Sequence, residues 1–219
     1  MKVFRDLYLT GSPDQIRATV AEIERSLSDR WRRDLESERR LKEGAINGRD
    51  AYCFARTARA SEPAAALFLM EQDDGSLSVT NIIPREVGEL SYDQYNAVIK
   101  EFHDRFAQPA AKKTGAVVAL TADEKGIDSW LSTHAAKTLQ SFSSLANKST
   151  GSGHPLDRER WFAFLLAAHD ERSELDCTTL RRWLVESERW SELAAMDLAV
   201  EYEFGRELLA FADAHRTNE

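Results

Sequence analysis

Residues Ala64–Pro84 read AAALFLMEQDDGSLSVTNIIP, and this stretch decides the class of the fold. Ala64 to Met70 is an unbroken apolar run, too short for an ordinary helix, and it predicts a strand in the middle of a sheet. Gln72–Gly75 (QDDG) has the residues of a hairpin turn. Leu77, Val79 and Ile83 then continue at strand spacing until Pro84. Upstream, Asn47-Gly48 marks a turn before a third extended run, Tyr52 to Ala58. The connections are too short for crossover helices, so the three strands are expected to form an antiparallel meander.

Helices flank the meander. Ser12, Pro13 and Gln15 have the spacing of a capping box with proline at the first helical position. Ile16, Val20, Ile23 and Leu27 follow at helical intervals, giving one apolar face. Ser91 and Gln94 repeat the capping signal, and Tyr95, Val98, Ile99, Phe102 and Phe106 form a second stripe that Pro109 is expected to close. Lys2–Thr10 and Ala116–Leu120 read as outer strands. The order is then β-α-β-β-β-α-β, an α+β domain over residues 1–122. Each helix has one face to bury, which predicts a two-layer α/β sandwich.

Glu24 to Glu43 is crowded with both signs of charge. Arg30, Arg32, Arg33, Arg39 and Arg40 suggest an anion-binding strip, but Asp29, Asp34, Glu36, Glu38 and Glu43 are interleaved with them. A mixed run of this kind reads first as a solvated face of ion pairs.

The second half reads as helical. Asp128–Asn147 carries Trp130, Leu131, Leu139, Phe142 and Leu145. Residues 123–153 thus hold a helix and a Gly/Ser-rich joint, NKSTGSGHP, closed by Pro155. Asp157, Asp176 and Ser191 are candidate caps of three further helices. Leu193, Met196, Val200, Phe204, Leu208 and Phe211 form the stripe of the last. Residues 154–219 are accordingly expected to pack as a three-helix C-terminal bundle.

The chain has 219 residues, 29 Lys plus Arg and 37 Asp plus Glu, for a formal charge of -8. That balance opposes binding of nucleic acid or anionic membrane by the whole surface and permits a basic partner. No apolar run approaches the roughly 20 residues of a membrane span, and the N-terminus lacks the apolar core of a signal peptide. Cys53 and Cys177 show no disulfide pattern, so a reducing cytoplasm is the expected location.

No motif specifies a reaction. Lys148–Gly153 (KSTGSG) lacks the phosphate-loop spacing, and neither a nucleophile elbow nor a zinc-protease motif occurs. No cofactor is expected. His169-Asp170 resembles the centre of HD-type metal phosphohydrolases, with His154 and Asp197 as candidates for the further ligands, at compressed spacing. Phe162 to Glu186 runs helix, polar break, helix, as in a helix-turn-helix. Thr178, Thr179, Arg181 and Arg182 would face base edges, with Arg172 and Arg189 on phosphates. Trp183, Trp190 and Tyr202 are candidates for a protein interface, although rings on apolar stripes equally suit a core.

Ser141–Trp161 (SFSSLANKSTGSGHPLDRERW), Leu198–Leu209 (LAVEYEFGRELL) and Glu89–Tyr95 (ELSYDQY) resemble a family of small uncharacterised bacterial proteins. The resemblance implies a bacterial cytoplasmic protein with an accessory or neutralising role beside a toxin or defence gene, and carries over no site residue. The expectation is therefore a non-enzymatic protein-interaction module of antitoxin or immunity type. The alternatives are a nucleic-acid-binding regulator and an HD-like metal phosphohydrolase.

Overall fold

The computed structural model describes residues 1–28, 30–44, 49–60, 62–86 and 88–216. Asn47-Gly48 and Asp29 lie outside them. The fold is mixed α and β, and two compact units divide it: Lys2–Asp123, and Met1 with Glu124–Glu219.

In the first unit, strands β1 (Leu7–Thr10), β2 (Trp31–Arg33), β3 (Ala51–Arg56), β4 (Ala65–Glu71), β5 (Leu77–Pro84) and β6 (Val117–Leu120) form one antiparallel sheet. Their spatial order is β2-β3-β4-β5-β1-β6. The β3-β4-β5 meander is the one read from Tyr52–Ala58 and Ala64–Pro84, and the QDDG turn joins β4 to β5 through Gln72 N–H to Ser76 O at 2.8 Å. One detail of β5 departs from the expected alternation. Pairing shifts from Phe68–Asn81 to Leu69–Val79, leaving Thr80 as an extra residue. Such a bulge reverses the parity beyond it. Ile82 is consequently the buried residue, whereas Ile83 is exposed.

Helix α1 (Pro13–Ser26) begins at the expected box: Ser12 Oγ accepts from Gln15 N, and Gln15 Oε1 accepts from Ser12 N. Helix α3 (Tyr92–Phe102) repeats it with Ser91 and Gln94. Ile16, Val20 and Ile23 share a core with Leu7, Leu9, Leu67, Leu69, Val98, Ile99 and Phe102.

Pro109 does not end the second helix. The chain passes through one π-helical turn at His103–Ala107, where Gln108 N–H bonds His103 O, and continues as α4 (Gln108–Thr114). Proline inside a regular helix clashes with the carbonyl four residues back. Here it falls at the start of a new α segment beyond the wide turn, and the helix survives.

Two elements lie outside the expected order, β2 and helix α2 (Leu35–Gly44). Both come from the mixed-charge run. Trp31 points into the core and is 2% exposed. Arg33 donates from Nε and Nη2 to both oxygens of Glu38, at 2.8 and 2.9 Å, and from Nη1 to Glu24. Glu38 also accepts from Cys53 N at 3.0 Å. Arg30, Arg39 and Arg40 each face a glutamate, so four of the five arginines suggested as an anion strip are already paired.

Cys53 is fully buried, and burial together with the nearby Asp34 charge pushes its thiol up to about 11. Cys177 is half-buried, and both cysteines are free. The thiolate is the reactive form. At about pH 8 the native chain should therefore yield one readily modified thiol, Cys177, to a colorimetric disulfide reagent. Cys53 should react only after denaturation, and equal labelling rates for the two would contradict this packing.

In the second unit a 3-10 turn at Ile127–Ser129 precedes α5 (Thr133–Leu145), α6 (Pro155–Asp170), α7 (Cys177–Glu186) and α8 (Glu192–Arg216). The single helix expected from Asp128 is thus broken, because Ser132 Oγ takes the N–H groups of His134 and Ala135 and starts α5 there. Helix α6 is capped by His154 Nδ1 accepting from Leu156 N. Asp157, proposed as that cap, is instead buried within the helix and bonds Asn147 N and Arg160. Asp176 and Ser191 cap α7 and α8 as expected, accepting from Thr179 N and Ala194 N. α5 packs on α6, α6 on α8 and α7 on α8, around Phe142, Trp161, Phe164, Leu180, Trp183, Trp190 and Tyr202.

Candidate protein-interaction surface

Helix α8 is 25 residues long and apolar on two opposite faces. One face enters the core through Ala195, Leu198, Ala199, Tyr202 and Gly205. It combines three small residues, Ala195, Ala199 and Gly205, with Leu198 and a single ring. A Cβ on Gly205 would lie 2.9 Å from Leu165 Cδ1, so the Leu165 side chain packs directly over the glycine and would have to shift to admit a larger residue. Tyr202 is fully buried, stacks on Phe164 with ring centroids 5.5 Å apart, and donates its hydroxyl proton to Leu175 O at 2.9 Å.

The opposite face is the stripe Leu193, Met196, Val200, Phe204, Leu208 and Phe211. Every member is exposed, from 53% at Leu208 to 73% at Leu193. Leu193 and Phe211 stand about five whole turns apart, so the row runs straight along the helix for roughly 27 Å. The sequence-based expectation that this stripe packs into the helical core is therefore reversed: its six large residues face outward, and Ala195, Leu198, Ala199, Tyr202 and Gly205 face inward. Phe162 and Leu166 of α6 are also about half exposed. Together with Leu165, Phe204, Leu208 and Leu209 they line a groove of about 470 Å³ between α6 and α8. Contiguous exposed apolar surface of this kind marks an interaction site more often than scattered single residues do.

Trp183, Trp190 and Tyr202 do not belong to that surface. They are 4%, 3% and 0% exposed. Trp190 stacks on Phe142 and donates Nε1–H to Ser143 Oγ at 2.8 Å. Their aromatic area is consumed in the core, which is where rings on the inward stripes belong.

The helix-turn-helix expectation also meets a different geometry. Helix α7 packs on α8, with α6 making its principal contacts to α5 and α8. A reader helix is held by the helix preceding it, and that pairing is not the main one here. Thr178 and Arg181 are exposed, but Thr179 is engaged by the Asp176 cap through both N and Oγ1, and Arg182 pairs with Glu186. Arg172 and Arg189 take positive φ at the ends of α6 and α7, a helix-terminating conformation.

His169 lines a second, polar cleft of about 440 Å³ with Asp176, Cys177, Glu203, Arg206 and Glu207. Its Nε2 lies 2.8 Å from Asp213 Oδ2. Asp170 is exposed and does not line this cleft. His154, suggested as a further ligand, is spent on the α6 cap. Among the described residues no three His, Cys, Asp or Glu side chains gather closely enough to hold a metal ion. Arg206 reaches from the cleft to donate to Leu175 O at 2.8 Å, beside Tyr202.

No helix among the described residues is long and apolar enough to cross a membrane. No family model, curated protein or solved structure matches the chain.

Proposed function

We propose that this chain is a non-enzymatic protein-interaction module, of the antitoxin, immunity or defence-accessory type, working in a bacterial cytoplasm. The observation that carries the reading is the second apolar face of α8: six large residues held outward along one line, continued by Phe162 and Leu166. Leaving such a row in water forgoes burial worth about 25 cal/mol per Å², and a partner that covers it recovers that free energy. In this reading the first unit, a two-layer sandwich, is a scaffold, and the helical second unit, a small bundle, presents the docking face.

The test compares wild type with Phe204→Ser plus Leu208→Ser as immobilised bait in lysate of the native host. Both side chains are exposed, so the double variant should stay folded, with each change costing within about 0.5 kcal/mol. A specific protein recovered with wild type and at least tenfold depleted with the variant supports the proposal. Recovery that is unchanged by the variant, or no recovery at all, overturns it.

A further inference from the structure

The polar residues among the exposed row define what can cover it. At about 100° per residue, Asp197 and Glu207 fall within the outward face of α8, and Glu201 and Glu203 along its two edges. Glu201 accepts a hydrogen bond from Ser152 Oγ. Asp197, Glu203 and Glu207 make no hydrogen bond or ion pair among the described residues, and the nearby Arg206 is turned to Leu175 O. On α8 itself the row is thus a hydrophobic seam bordered by carboxylates, with one cation from a neighbouring helix beside each edge, Arg158 of α6 in the groove of Glu201 and Arg181 of α7 in that of Glu203.

The same positions are symmetric about Tyr202. Leu193 mirrors Phe211, Met196 mirrors Leu208, and Val200 mirrors Phe204. An antiparallel second copy of α8 would match these apolar residues well. It would also set Asp197 against Glu207 and Glu201 against Glu203, acid on acid at all four of these positions. A parallel copy meets the same repulsion, residue against itself. Like charges at closely packed helix positions are destabilising. Self-association is therefore opposed by the very groups that a cationic partner would satisfy.

Resting on the interaction-module reading, we infer that the face of α8 docks a cationic amphipathic helix of a partner protein. That helix is about 18 residues long, has apolar residues every three or four positions, and carries Lys or Arg along both edges. Helix-in-groove docking needs apolar anchors at that spacing, and the basic edges supply both steering and pairing for the carboxylates.

The experiment uses the full chain and two labelled synthetic helices, one with Leu/Phe anchors and Lys edges, the other with the same anchors and Glu edges. Fluorescence anisotropy is read at about 50 and 300 mM salt, alongside light scattering of the chain alone. The expected result is binding of the Lys-edged helix, weakened roughly tenfold by the added salt, and at least tenfold weaker binding of the Glu-edged one. Asp197→Lys plus Glu207→Lys should reverse the preference. Phe204→Ser plus Leu208→Ser, which leaves every charge in place, should abolish binding and so exclude simple attraction of a basic peptide to an acidic protein. Equal binding of both helices, lost in the Phe204/Leu208 variant, overturns the cationic partner and leaves the interaction module standing. A dimer in light scattering, dispersed by the Phe204/Leu208 variant, does the same by identifying a second copy as the occupant. A monomer that binds neither helix overturns this inference; the lysate experiment then decides the broader reading separately.

Discussion

Trp161→Ala is expected to lower the unfolding free energy by about 3–5 kcal/mol, the range for removing a large aromatic side chain from a closed core. Trp161 is fully buried in α6, with its ring 4.9 Å from Phe142 and 5.2 Å from Phe164. Phe142 in turn stacks on Trp190, and Phe164 on Tyr202. Removing the central ring therefore takes packing from two aromatic pairs at once, and helices α5, α6 and α8 cannot all close on the void. Trp161→Phe is a sharper probe. The indole Nε1–H has no hydrogen-bond partner among the described residues, and an unmade buried hydrogen bond costs about 1–3 kcal/mol. Phenylalanine keeps most of the ring and removes that group, so its cost should be less than half that of alanine. Urea denaturation followed by circular dichroism measures both. An alanine variant that loses under about 1.5 kcal/mol would contradict this core.

The comparison with Phe204 ties stability to function. Trp161 and Phe204 line the same groove, yet one is sealed and the other 65% exposed. Trp161→Ala should damage the fold and binding together, whereas Phe204→Ser with Leu208→Ser should damage binding alone. Two aromatic residues on neighbouring helices thus separate the scaffold from the docking face.

Local signals in the sequence translated directly where their chemistry is short-ranged. The Ser12/Gln15 and Ser91/Gln94 boxes, the Asp176 and Ser191 caps and the QDDG turn each depend on atoms a few residues apart, and each forms. What depends on tertiary partners was hidden. Strand β2 has one inward residue, Trp31, in a run dominated by charge, and only its pairing with β3 makes it a strand. Thr80 bulges because β4 and β5 slip against each other, and no alternation rule contains that slip. Helix α8 was hidden for another reason. With apolar residues on both sides, periodicity identifies the helix and cannot choose its buried face. The choice is made by tertiary packing: Ala195, Leu198, Ala199, Tyr202 and Gly205 meet the neighbouring helices, and Val200 and Phe204 do not. Hence the rings proposed for a partner, Trp183, Trp190 and Tyr202, are in the core, while the row read as core is outside.

Glu101→Ala should cost the first unit about 3–5 kcal/mol, the penalty for stripping one member from a buried ion pair. Arg56 has a side chain only 2% exposed. Its Nη1 donates to Glu101 Oε2 at 2.9 Å and its Nη2 to Pro63 O at 2.9 Å, while Nε has no hydrogen-bond partner among the described residues. Glu62 stands 4.0 Å away and is half exposed, too distant to replace Glu101. Arg30 Nη1 also lies 3.8 Å from Glu101 Oε1. Without Glu101 the guanidinium of Arg56 remains in the interior with one hydrogen bond, to Pro63 O, beside the Trp31 ring and the half-exposed Glu62. Exchanging both partners, Arg56→Met with Glu101→Leu, should cost less than Glu101→Ala alone, because no orphaned charge is left. The same carboxyl predicts the response to acid. Burial works against its charge, but the hydrogen bond from Arg56 and the charges of Arg30 and Arg56 outweigh it and hold Glu101 below the usual carboxylate range. A carboxyl whose folded pKa lies below its unfolded value, about 4.3, stabilises fully above that unfolded value. The contribution is lost as pH falls through the folded one. Asp34, held down despite burial by Arg85 and Ser37, acts in the same direction. Urea midpoints measured from about pH 7 to about pH 3 should therefore fall with acid in wild type. In Glu101→Gln, which has no proton to take up, the curve should start lower at neutral pH and fall less steeply below the usual carboxylate pKa. Parallel curves for the two proteins would show that the Arg56–Glu101 pair does not hold this part of the sheet.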